Sequence, residues 1–208
     1  MHARYLFLIS FLSSLAIGHP VTYKGGLMVA GLFRPSMAQL RANYTFNRHF
    51  SLGARYSDLR LLSRNLELAN AEFNALVWRH NAPGSQANLY ATVGAGYVDD
   101  SVGQDGLLLH GGVQLDFETR RFYTALMADV MKAPSLTPYR LTYRIGFAPY
   151  EAAYDELWGW MILQFQYFPQ MNGRVELTPL MRVFYRSILF EVGSTFKGEW
   201  FLQIMAHF

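Results

Sequence analysis

The residues able to do chemistry in this chain are mostly arginines and carboxylates, spaced two apart along short alternating runs. By that alternation Arg41, Arg55, Arg140, Arg144 and Arg182 share one polar face with Glu72, Asp116, Asp129, Glu176 and Glu191, and His110 is the histidine central to a run. The signs balance. A selective ion path lines its constriction with one sign of charge. A mixed set on an enclosed face pairs internally, because a charge taken out of water without a partner is costly. Leu76, Trp78, Trp160, Ile162, Phe201 and Met205 fall on the same face. The arrangement therefore predicts a filled interior with an ion-pair network, and leaves open a narrow path for small solutes or ions.

Other chemistries find less support. A serine hydrolase needs a serine activated by a histidine that a third group orients. His110 has no serine motif nearby, and Gly-x-Ser-x-Gly, His-Glu-x-x-His and a phosphate-binding glycine loop do not occur. With no cysteine there is no thiolate nucleophile or thiolate metal site. Asp99, Asp100 and Asp105 read as a solvated polar loop. Gly94-x-Gly96 lies in a strand pattern without a following helix, so it predicts room for a bulky neighbour, not a nucleotide site. No cofactor is implied, and an outer-wall hydrolase is the weakest alternative. A metal alternative rests on His19. Cleavage after Gly18 would free its amine beside its imidazole, and with His49, His80 or His207 the pair would chelate copper; cleavage after Ala16 would not. Lysine and arginine are scattered at a net charge of +3, without the basic patch that nucleic acid requires.

The elements that position these residues follow from composition and period. The chain has 208 residues, 51% hydrophobic and 16% aromatic, with a mean hydropathy of +0.07. That near-neutral mean excludes a polytopic helical membrane protein and suits a barrel in which every second residue is polar. Arg4, the apolar run Tyr5 to Ile17 and the small residues Ala16 and Gly18 read as a cleaved secretory signal peptide over residues 1–18. Residues 19–208 form the second unit.

From there the alternating runs repeat: 25–33, 38–46, 50–56, 66–79, the Leu89–Tyr97 and Leu107–Phe117 patterns, 122–131, 139–147, 157–168, 175–184, 188–196 and 199–208. Segment 58–65 reads as a loop and Pro149–Glu156 as a short helix. The prediction is an all-β, antiparallel, up-and-down transmembrane barrel of about twelve strands, or ten if runs merge. Phe46, Phe50, Phe117, Phe122, Tyr139, Phe147, Trp158, Phe168, Trp200 and Phe208 gather at run ends like two interfacial girdles. A lipocalin-like barrel or β-sandwich would also alternate, but not with a leader and nearly charge-free outer faces.

The last run carries Trp200, Leu202, Ile204, Ala206 and Phe208 on one face and stops on an aromatic residue. With the leader and the alternating runs, this resembles small Gram-negative outer-membrane β-barrel proteins. Blocks such as Trp78-Arg-His-Asn81, Ser85 to Tyr90 and Leu177 to Arg182 are similar to an uncharacterised barrel family. The resemblance implies export to the bacterial outer membrane, a lipid bilayer around the barrel, and insertion by the barrel-assembly machinery, with Trp200 to Phe208 as the assembly signal. It implies no assured activity.

Overall fold

The computed structural model describes residues 19–171 and 173–208; the expected signal peptide over residues 1–18 lies outside the described residues. Twelve strands follow one another: β1 (Leu27–Arg34), β2 (Met37–Thr45), β3 (Phe50–Arg60), β4 (Asn65–Ala82), β5 (Ser85–Asp100), β6 (Gly106–Thr119), β7 (Phe122–Lys132), β8 (Tyr139–Phe147), β9 (Trp158–Tyr167), β10 (Val175–Tyr185), β11 (Ile188–Ser194) and β12 (Trp200–His207). Each pairs antiparallel with its sequence neighbours, and β1 pairs with β12, from Met28 opposite His207 to Phe33 opposite Leu202. The sheet is a closed barrel, which leaves no free strand edge.

The period-two pattern sorts the wall as a pleated strand must. Leu40, Leu52, Val93, Leu107, Val113, Leu141, Met181 and Ile204 lie exposed on the outer surface. Arg55, Glu72, Asn74, His110, Asp116, Arg144, Arg182 and Glu191 are buried inside. His19, Phe208 and the turns after β2, β4, β6, β8 and β10 share one end, here the terminal end. The connections after β1, β3, β5, β7, β9 and β11 form the far end.

Four local features depart from the sequence reading. In β4 the register jumps from Leu76 opposite Tyr90 to Trp78 opposite Leu89. This bulge carries an extra residue, Val77, so Val77 and Trp78 both point outward, 59% and 49% exposed, and Trp78 does not crowd the interior. Trp158 and Phe168 are buried and leave the girdle. Trp158 shares the inward parity of Trp160, lies tilted against it with ring centroids 5.6 Å apart and donates its indole N–H to Tyr150 O at 3.0 Å; Phe168 turns in among the far-end apolar residues. The segment Pro149–Glu156 forms turns and no helix; Ala153 N–H donates to the Glu156 carboxylate at 2.9 Å and Glu156 N–H to Ala153 O at 3.1 Å, closing a single turn. Finally, β3 continues to Arg60 and β4 begins at Asn65, shortening the expected 58–65 loop.

Two apolar clusters fill opposite corners of the interior. One, with Tyr123, Trp158, Trp160, Phe184 and Leu189, lies toward the terminal end on the β7–β11 side. The other, with Met37, Leu59, Leu66, Val98, Leu108 and Met131, lies at the far end on the β2–β7 side, capped by Phe168 and Met171. The charged residues occupy the band between them.

Candidate functional site

The middle band is built around Glu72. Its register partners are Gly53 on β3 and Gly94 on β5. A Cβ at Gly53 would stand 1.8 Å from Asn43 Oδ1, and one at Gly94 would stand 2.7 Å from Ala71 O. Glycine is required at both places because side chains and backbone of the neighbouring strands already fill the space. Into the slot between them the Glu72 carboxylate is fully buried, with Arg41 Nε at 3.1 Å and Arg55 Nε at 2.7 Å. Asn70 Nδ2 donates to it at 3.2 Å.

His110 links this carboxylate to a second one. Its Nδ1 lies 3.1 Å from Glu72 Oε1 and its Nε2 lies 3.2 Å from Asp129 Oδ1. Asp129 also receives Arg140 Nη2 at 2.9 Å and faces Arg55 Nη1 at 3.6 Å. Across the lumen, Glu191 is shared by Arg144, 3.2 Å away, and by Arg182. Arg144 Nε donates to Gln164 Oε1 at 2.8 Å. The guanidinium of Arg182 lies 4.8 Å over the Tyr123 ring and that of Arg144 lies 5.8 Å over Phe201, contacts that favour a cation held out of water.

The band therefore holds five guanidinium groups, of Arg41, Arg55, Arg140, Arg144 and Arg182, against three carboxylates, of Glu72, Asp129 and Glu191. The balance of signs read along the sequence is restored only at the ends, where Asp116 and Glu176 lie. At the far end Arg34 bonds Glu176, Glu199 and Gln166, spanning from β1 to β10. At the terminal end Asp116 receives Asn88 Nδ2 at 2.6 Å and Gln114 Nε2 at 3.0 Å, with His19 Nε2 at 3.5 Å.

Within the band lies a chamber of about 130 Å³, lined among others by Arg41, Arg55, Arg140, Arg144, Gln164 and Gln203. A cavity needs roughly 10–15 Å³ on this measure to admit one water, so the chamber holds several. A second cavity, of about 10 Å³, continues toward the far end beside Met37, Leu59 and Phe168. Gln39, Asp129 and Arg140 line both cavities.

This geometry bears on the other chemistries. Both ring nitrogens of His110 face carboxylates, not a serine. Because those carboxylates approach opposite nitrogens, the three groups do not converge on one point. Among the described residues no group of three or more acidic, histidine or cysteine side chains is placed to hold a metal ion. His49 and His80 are exposed, while His19 is buried on Asp116. Asp100 is buried, not solvated: its carboxylate takes Arg64 Nη1 at 2.7 Å and Ser135 Oγ at 3.1 Å, tying three far-end loops together. Arg34 escapes notice in the sequence because Pro35 follows it and suggests a turn. Its even position, shared with Met28, Ala30 and Leu32, is the signal that finds it.

No family model matches the sequence. No curated protein matches it either. Among solved structures the chain is similar to the KdgM porin in complex with disordered oligogalacturonate, with a TM-score of 0.51 at 10% identity over 88% of this chain and 98% of that one. It is also similar to the KdgM porin alone, with a TM-score of 0.49 at 11% identity over 88% and 98%. At this identity the likeness to the first is one of fold.

Proposed function

We propose that this chain is a bacterial outer-membrane barrel that provides a narrow path for small solutes and catalyses no reaction. The observation that carries the reading is the chamber of guanidinium and amide groups in the middle of a closed barrel. The exposed apolar outer wall supports the membrane setting. Continuous apolar surface of that extent is rare on a monomer in water, and alternating strands of this length suit a bilayer core. The likeness in fold to a porin agrees with it. In this reading residues 1–18 direct export, the barrel-assembly machinery inserts residues 19–208, and Trp200, Leu202, Ile204, Ala206 and Phe208 form the signal that it reads.

The solute class follows from the band. Four guanidinium groups, of Arg41, Arg55, Arg140 and Arg144, and one carboxylate, of Asp129, line the chamber, and Arg41, Arg140 and Asp129 keep part of their surface free. Such a surplus in a low-dielectric wall favours anions over cations. Reversal potentials across a salt gradient, measured on refolded protein in planar bilayers, test the reading. An anion preference is expected. A cation preference, or no ion passage from any preparation, overturns it.

A further inference from the structure

The terminal mouth of the barrel is filled by two different means. On the β7–β11 side the aromatic cluster around Trp158 and Phe184 fills it with strand side chains. On the β2–β6 side the filling comes from residues that belong to no strand. His19, Pro20 and Val21 are all buried, His19 at 3% and Val21 at 0% exposure. Val21 packs in one cluster with Leu76 of β4 and Tyr90 of β5. The His19 ring lies 5.1 Å from that of Tyr90, and its Nε2 lies 3.5 Å from Asp116 of β6. Pro20 O accepts Ser51 Oγ of β3 at 2.6 Å. Thr22 N donates to Thr45 Oγ1 of β2 at 3.0 Å. Five successive strands thus hold one short segment, and Pro20 reaches the wall of the central chamber.

We infer that residues His19 to Thr22 are a plug that closes the terminal mouth of the barrel, and that solute passes only when this segment withdraws. The inference rests on the reading of the barrel as a solute path. The contacts suit a reversible plug. They are one small apolar side chain, one imidazole facing a carboxylate and a tyrosine ring, and three hydroxyl-mediated bonds, with none of the multidentate guanidinium pairs that bind the strands to one another. The segment has its own anchor just beyond: Gly25 N donates to Thr45 O at 2.7 Å and Thr45 N to Gly26 O at 2.9 Å. Residues 19–22 are therefore free to leave without opening the β1–β2 pair.

Two variants test this in planar bilayers. Val21→Asp places a carboxylate against Leu76 and Tyr90 and expels the segment without altering a strand. Thr22→Cys with Thr45→Cys locks it, since the two hydroxyl oxygens stand 3.1 Å apart and the chain has no other cysteine. The expected result is a several-fold rise in conductance for Val21→Asp. The oxidised double variant is expected to lose the openings of the wild type and to regain them on reduction. If the wild type, Val21→Asp and the oxidised double variant conduct alike, the plug is overturned and the path stands. If no form conducts, both are overturned.

Discussion

Asp129 and Arg140 stand directly opposite each other in the β7–β8 register, and Arg140 Nη2 donates to Asp129 Oδ2 at 2.9 Å. With Gln39 they line both the central chamber and the small far-end cavity. Arg140 Nη1 also lies 3.6 Å from Met37 Sδ, which fixes the side chain across the gap. Arg140→Ala should therefore join the two cavities and raise unit conductance several-fold, while lowering anion preference because one guanidinium is lost and Asp129 is left without it. Recordings of the variant beside the wild type check both effects. An unchanged conductance would mean that the constriction lies elsewhere.

Among the described residues Glu191 is the one carboxylate shared by Arg144 and Arg182, and all three are buried. Glu191→Ala leaves two guanidinium groups in the interior without their counter-charge, at a cost of about 3–5 kcal/mol. Replacing all three by apolar side chains of similar size should cost far less, because no charge is then left unpaired. Urea unfolding of the refolded barrel in detergent, followed by tryptophan fluorescence, measures both. Equal destabilisation by the single and triple variants would contradict the pairing account.

The four tryptophans divide between wall and interior. Trp78 and Trp200 are exposed on the outside, whereas Trp158 and Trp160 are buried within. Single-tryptophan variants in bilayers of brominated lipid should show strong quenching for Trp78 and Trp200 and weak quenching for the other two. Deleting Val77 removes the bulge and places Trp78 directly after the inward-facing Leu76, so Trp78 should stay opposite Leu89, face outward and keep its quenching. Loss of quenching on the deletion would count against the register assigned to β4.

Phe208 closes the ring through its backbone: its N–H donates to Leu27 O at 2.9 Å and its carbonyl accepts Leu27 N–H at 3.0 Å. Phe208→Asp keeps both bonds and changes only the side chain, so it separates closure from recognition. If the terminal strand is the assembly signal, the variant should reach the outer membrane in several-fold lower amount, and the molecules that insert should conduct as the wild type does. Normal amounts in the membrane would show that the side chain is not read.

Much of the wall was legible because a strand alternates without exception until something interrupts it. The even positions from Arg140 to Gly146 and from Glu176 to Phe184 turn inward as period two requires. Where a single extra residue enters, as at Val77, the parity inverts and nothing in a run of apolar residues announces it. Pairing partners were not legible, since Arg34 meets Glu176 across intervening strands and such contacts depend on register and closure, not on spacing. Neither was the plug. His19 to Thr22 has no alternation, and its burial depends on the cavity that Leu76, Tyr90 and Asp116 provide for it. The surplus of positive charge in the middle band was hidden for the same reason: counted along the chain the signs balance, and only the third dimension sends Asp116 and Glu176 to the ends.

The central claim is that the lumen is a small, charge-lined chamber with a narrow path through it. Single-channel recording of the refolded wild-type protein in planar bilayers tests it most directly. Brief, sub-nanosiemens, anion-favouring openings are expected from a chamber of about 130 Å³ lined by the Asp129–Arg140 pair. A steady open channel on the nanosiemens scale would contradict the account.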